Sequence, residues 1–175
     1  MAIELVELLN PGRGSEERGP ANDPLNADFV AEFAQVYDEA GYDWVLIGQN
    51  ARSPDPITIA SWALARTQGL RVMIAHSPGF IAPTMAARIF ATLDKLSKGR
   101  GGVHIITAAS DAETRNDSDF LTKHERYHRS HEYVRVLRQI WLATPCGSAA
   151  RLDRRGARRP PPFRARSSRP EASLR

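Results

Sequence analysis

Cysteine is almost missing from this chain: Cys146 is the only one in 175 residues. An intrachain disulfide and a thiolate metal centre are therefore both excluded. No run of eighteen apolar residues occurs, so no membrane-spanning helix is expected. The N-terminus, Met1 to Gly14, lacks a basic leading region and its apolar stretch is only strand-length. It does not read as a signal peptide, and a cytoplasmic location is expected. Lysine is absent from residues 142–175, which carry nine Arg against Asp153 and Glu171, a net of +7. Residues 1–141 carry 15 basic and 18 acidic side chains, a net of −3, so the overall charge of +4 belongs to the tail. The body also lacks the interleaved basic and aromatic residues of a single-strand binder, which argues against a nucleic-acid partner.

What is present in residues 1–141 is a repeated alternation of short apolar runs and helical periodicity. A first strand is expected over residues 3–9, followed by a Gly-, Pro- and charge-rich loop over 10–26. From Asp28, the residues Phe29, Phe33, Val36, Tyr37 and Ala40 recur at helical spacing, with Gly41 as the stop. Trp44–Ile47 is a continuous apolar run suited to a strand buried on both faces. A loop (48–56) and a helix over about 57–67 follow, then a third strand over 70–75 and a turn over 76–80. Pro83 suits a helix's first turn, and Met85, Ile89, Leu93 and Leu96 make one stripe of that helix. Gly99–Gly102 reads as a turn into a fourth strand over 103–107. It lacks the Gly-Lys-Ser/Thr ending of a phosphate-binding loop. Residues 108–128 read as a second long loop, and Tyr133, Val136, Leu137, Ile140 and Trp141 mark a last helix.

Four β-α units in series imply an α/β fold with a parallel sheet and helices outside it. Long connections follow the strands and short glycine-marked ones precede them, as in a (β/α)8 barrel. An open doubly wound sheet meets the same pattern, and periodicity does not separate the two. Residues 142–175 differ in kind: Arg, Pro, Ala, Gly and Ser dominate and apolar periodicity stops. We expect a domain over 1–141 and a disordered tail over 142–175. The tail's GC-rich-codon composition points to an out-of-frame reading, with a basic arm for RNA or anionic lipid as the alternative.

The stretch from His76-Ser-Pro-Gly-Phe80 through Lys98-Gly-Arg100 resembles the luciferase-like flavin-dependent monooxygenases, nearest the alkanesulfonate branch. So do Val103-His-Ile-Ile-Thr107, Ser110-Asp-Ala-Glu113, Asp119-Phe-Leu121, Glu125-Arg-Tyr127 and Glu132-Tyr133, in the family's order. The resemblance implies the N-terminal half of a TIM-like (β/α)8 barrel, about four β-α units. It implies reduced FMN as cofactor, supplied by a separate NAD(P)H-dependent flavin reductase, and O2-dependent oxygenation of a small-molecule substrate such as an alkanesulfonate. A full-length chain is expected to form a homo-oligomer.

The resemblance further implies cofactor contacts from His104 and Thr107 near the flavin ring, and from Tyr127 and Lys123 at the FMN phosphate. Many relatives carry His where Lys123 stands. Arg52 and Ser53 match substrate-side positions, although some alkanesulfonate enzymes carry Cys where this chain has Pro54. For His104 and Thr107, satisfied polar residues of the barrel interior and strand end are the alternative reading, and for Tyr127 it is packing at the helix start. His124, His128 and His131 have spacings that converge on a helix face. They fall in the stretch read as loop leading into helix, and no metal is expected. The later strands of the family carry further site residues that this sequence lacks. An inactive truncated half-barrel, or a non-catalytic flavin-binding module that closes its sheet by dimerising, is thus the competing expectation. An open α/β binding domain unrelated to flavin is a third.

Overall fold

A computed structural model describes residues 3–12, 25–108 and 110–143. The expected 10–26 loop and the 142–175 tail lie for the most part outside the described residues. The elements run β1 (Val6–Leu8), α1 (Ala27–Glu39), β2 (Trp44–Ile47), α2 (Pro56–Arg66), β3 (Arg71–His76), α3 (Pro83–Leu96), β4 (Gly101–Ile105), α4 (Asp111–Asn116) and α5 (Lys123–Ala143). The four strands form one parallel sheet in the order β1-β2-β3-β4, so each connection brings the chain back to the same end of the sheet. This is the α/β half-barrel arrangement expected from the sequence.

The pleat sorts the strand side chains. Val45 and Ile47 of β2 and Val72 and Ile74 of β3 are buried against the helices. Their alternates form cross-strand rows on the other face: Val6, Trp44 and Arg71 in one, then Leu8, Leu46, Met73 and Gly102 in the next. The last row pairs Ala75 with His104. Gly102 lies under Trp44, where an added Cβ would stand 2.9 Å from the indole. Only a residue without a side chain lets the ring lie flat there.

Helices seat through their small residues. Ala34, Ala60, Ala63, Ala86 and Ala87 are essentially fully buried, which brings the helix backbones close to the sheet. This corrects two expected stripes. In α3 the buried residues are Ala86, Ala87, Phe90 and Leu93, while Met85 and Leu96 are largely exposed. In α1, Val30 and Ala34 face the core. Phe29, Phe33 and Tyr37 instead form a ring ladder along the helix's flank that continues to Tyr42, with centroids 4.2, 6.1 and 5.2 Å apart. Large apolar residues had marked the flank and small ones the seat.

Two further differences bear on the site. β4 begins at Gly101, so half of the glycine-rich turn is strand. Residues 108–128 are not one loop: α4 occupies Asp111–Asn116, and α5 starts at Lys123. That start has a local cause. Thr122 and Glu125 form a reciprocal cap, with the Thr122 backbone N–H and hydroxyl donating to Glu125 Oε2 at 2.8 and 2.7 Å, and the Glu125 N–H pointing back to Thr122 Oγ1. Among the described residues no helix is long and apolar enough to cross a membrane.

Candidate functional site

The strands' C-terminal ends carry the connections 48–55, 77–82 and 106–122, the last of which includes α4, and these border an open cavity of about 560 Å³. Gln49, Ala51, Phe80, Ser118 and Arg129 are among its lining residues, together with Asp55, Asp117 and Asp119. Three buried constructions hold this end in shape.

The first centres on Arg126, 1% exposed. Its Nε donates to the Thr107 carbonyl at 2.9 Å and its Nη1 to the Leu121 carbonyl at 2.6 Å, while Nη2 pairs with Asp111 at 2.6 Å. One guanidinium thus ties the end of β4 to α4 and to the start of α5. A planar fork of five donors suits that task and an ammonium does not.

The second is Arg129, which pairs with buried Asp119 across the cavity wall. That bond holds the Asp119 carboxyl below its usual pKa despite burial. Gly79, at φ +116°, passes directly under this guanidinium, and a Cβ there would come within 2.4 Å of Arg129 Cζ. The positive φ calls for glycine, and a side chain there would push the Arg129 guanidinium from its place. Arg129 Nε is buried without a partner among the described residues, as is Ser77 Oγ, which lies beside Gln49 through the Ser77 N–H to Gln49 Oε1 bond of 2.7 Å.

The third joins β3 to α5. The Tyr133 hydroxyl donates to the Ile81 carbonyl at 2.9 Å, which leaves its oxygen to accept from His76 Nε2–H at 2.9 Å. Burial pushes His76 down to about 4 and Tyr133 up to about 12. Both are neutral across the physiological range and act as a structural link.

The residues singled out in the sequence fall in three places. His104 is exposed at the last row of the open sheet face, and Thr107 stands two residues beyond β4, its carbonyl fixed by Arg126. Lys123 and Tyr127 lie one turn apart on one exposed side of α5, with Tyr127 57% exposed. Packing therefore does not account for Tyr127. Among the described residues none of these four side chains has a hydrogen-bond or ion-pair partner. Arg52 and Ser53 sit on the β2 loop but outside the cavity lining. Arg52 is exposed, and the Ser53 hydroxyl is engaged with Asn50, accepting from its N–H and donating to its carbonyl, both at 3.0 Å. Arg126, Arg129 and Gly79 received no role from the sequence. The signal for Arg126 was its place inside Glu125-Arg-Tyr127. Arg129 and Gly79 stand 50 residues apart, and nothing local joins them.

A family model described as luciferase-like monooxygenase matches residues 8–173 of the chain. Among solved structures, the chain is similar to the EDTA monooxygenase EmoA from Chelativorans sp. BNC1, with 23% identity and a TM-score of 0.69 over 79% of this chain and 36% of that one. It is similar to the monooxygenase RslO1 from Streptomyces bottropensis, at 27% identity and a TM-score of 0.61, over 79% of this chain and 43% of that one. A third similarity is to the oxygenating constituent of 3,6-diketocamphane monooxygenase from the CAM plasmid of Pseudomonas putida, a complex with FMN. There the identity is 19% and the TM-score 0.64, over 81% of this chain and 40% of that one. The chain spans less than half the length of each of these structures. With a parallel β-α half-barrel, its loops gathered at the strands' C-terminal ends, and a family model matching most of its length, the chain belongs to the luciferase-like monooxygenase family.

Proposed function

We propose that this chain forms the N-terminal half of a reduced-FMN-dependent monooxygenase, with the flavin seated across the C-terminal ends of β3 and β4. The observation that carries this is the Arg126 tie. It fixes Thr107 and, through β4, His104 relative to the first turns of α5, where Lys123 and Tyr127 stand. Four polar side chains, without partners among the described residues, are thereby presented from two elements tied to one another.

Their chemistry fits the halves of FMN. An imidazole and a hydroxyl suit the ring's heteroatoms, while a phenol and an ammonium near a helix N-terminus suit a phosphate. When bound, the reduced flavin supplies the electrons that activate O2. The chain's own share is positioning. Thr107 and His104 orient the ring edge, Tyr127 and Lys123 anchor the phosphate, and the loops around Gln49, Phe80 and Ser118 limit water access from the cavity side. The supporting partner is an NAD(P)H-dependent flavin reductase, and the compartment is the cytoplasm. The substrate is a small molecule. For an alkanesulfonate, Arg52 supplies the cation from the part of the β2 loop between cavity-lining Ala51 and Asp55, because Arg129 is held by Asp119.

Anaerobic titration with reduced FMN tests this reading. Saturable one-site binding is expected, weakened by Thr107→Val and by Tyr127→Phe without loss of secondary structure. Binding untouched by both substitutions would refute it. One observation favours a second reading, a flavin-binding module that dimerises without catalysis. Val6 and Leu8 on the open sheet face are about half exposed, and among the described residues β1 and β4 each pair with one strand only. A concentration-independent dimer in sedimentation velocity, with flavin bound and no O2-dependent turnover of any sulfonate, supports it.

A further inference from the structure

Opposite the buried side of α5, the helix presents a row of histidines. Arg126, Ser130, Tyr133 and Leu137 face inward, whereas His124, His128 and His131 are all exposed. In the sequence these histidines straddled a presumed loop, where no fixed geometry joins them. Because the cap at Thr122 starts the helix at Lys123, they stand instead on regular helical turns. His124 and His128 are then one turn apart and meet: their Nε2 atoms lie 3.1 Å from each other, with the rings nearly perpendicular at 80°.

We propose that His124 and His128 form a two-imidazole chelate for a divalent transition-metal cation of the Zn2+, Ni2+ or Cu2+ class. Two ligand nitrogens at about 2.0–2.1 Å from a metal stand about 2.9 Å apart at a 90° bite and about 3.3 Å apart at a tetrahedral one. The observed separation falls between the two, so the nitrogens already stand at chelating distance and the rings need only turn their lone pairs from each other toward the ion. Imidazole nitrogen is the donor type this class of cation prefers over carboxylate or water. Without a metal, one Nε2–H donates to the other nitrogen. With it, both protons sit on Nδ1 and both Nε2 lone pairs point at the ion. Among the described residues no group of three or more His, Cys, Asp or Glu side chains could hold a metal. The remaining positions therefore go to water, and the site is open and exchangeable. His131 lies a further turn along and makes no hydrogen bond or ring contact with the pair among the described residues. This chelate does not rest on the flavin reading.

Isothermal titration of the full chain with ZnCl2 alone, and separately with NiCl2, at pH 7.5 tests it. One site is expected, weakened about tenfold or more by His124→Ala and equally by His128→Ala, since each removes one of two ligands. His131→Ala is expected to leave affinity within about twofold. Electron paramagnetic resonance of the Cu2+-loaded chain gives an independent reading, with coupling to two imidazole nitrogens expected. Absence of binding up to millimolar metal, insensitivity to either single substitution, equal loss with His131→Ala, or a one-nitrogen Cu2+ spectrum would each overturn the proposal.

Discussion

The two ends of the sheet use the same kinds of polar residue for different purposes. At the N-terminal end, the groups close on one another. Asp38 accepts the backbone N–H groups of Gln68, Gly69 and Leu70, and these bonds hold its carboxyl below the usual range despite partial desolvation. Arg100 donates to the Leu64, Leu70 and Ser97 carbonyls and to Thr67 Oγ1, and so covers the last turn of α2. Arg71 bridges Glu4 and Asp43 while lying over Trp44 at 4.4 Å. At the C-terminal end, Arg126 and Arg129 are just as firmly held, but what they hold is a rim. Around it the side chains of His104, Thr107, Lys123 and Tyr127 have no hydrogen-bond or ion-pair partner among the described residues, and a cavity opens between the loops. Both ends are thus fastened by buried arginines or carboxylates, but only the C-terminal end also presents polar side chains without partners among the described residues. A barrel scaffold permits this, because the loops after the strands carry little of the core.

The comparison breaks most sharply at Arg126. Arg126→Met leaves the Thr107 and Leu121 carbonyls without their donor inside the fold. A loss of about 2–4 kcal/mol in urea-unfolding stability is expected, from two carbonyls that lose a charged donor, while half-exposed Asp111 is resolvated. Flavin binding should fall with it, because the rim loses its tie. A substitution at the other end should separate the two effects. Asp38→Asn is expected to cost about 1–2 kcal/mol, since three backbone N–H groups lose a charged acceptor. It should leave flavin affinity unchanged once measured on folded protein.

Between these in size lies a pH effect. His76 is buried and neutral, its pKa pushed down to about 4 by desolvation. Below about pH 6.5 the unfolded chain binds a proton that the folded chain refuses until about pH 4, so stability is full above this window and falls through it. The slope is at most about 1.4 kcal/mol per pH unit, a total of up to about 3 kcal/mol. Thermal melts between pH 7.5 and 4 should show this decline, flattened in His76→Gln. The smallest effect is at Tyr127, where Tyr127→Phe should leave the melting temperature alone. It should weaken flavin by about five- to tenfold, the net value of one ordinary hydrogen bond at an exposed position.

The same division explains what could be read in advance. The four strands, the parallel order and the helices after them were legible because each depends on local periodicity and on glycine or proline punctuation, as at Gly41 and Pro83. Which helix face turned inward was not, because α1 and α3 seat on alanine and valine while larger rings and Met85 lie outward. Tertiary closeness outweighed apolar size. The start of α5 was present in the sequence as Thr122-Lys-His-Glu125, a capping box that the surrounding charge obscured. The cavity wall was not legible at all, since it depends on Arg129 meeting Gly79 and Asp119 across loops that only the fold brings together.

Hydrogen–deuterium exchange, measured anaerobically with and without reduced FMN, tests the division most directly. Protection is predicted in peptides covering 104–108 and 122–130, with no change over 38–43, 64–71 and 97–100. Protection confined to the N-terminal end of the sheet, or none anywhere at saturating flavin, would contradict it.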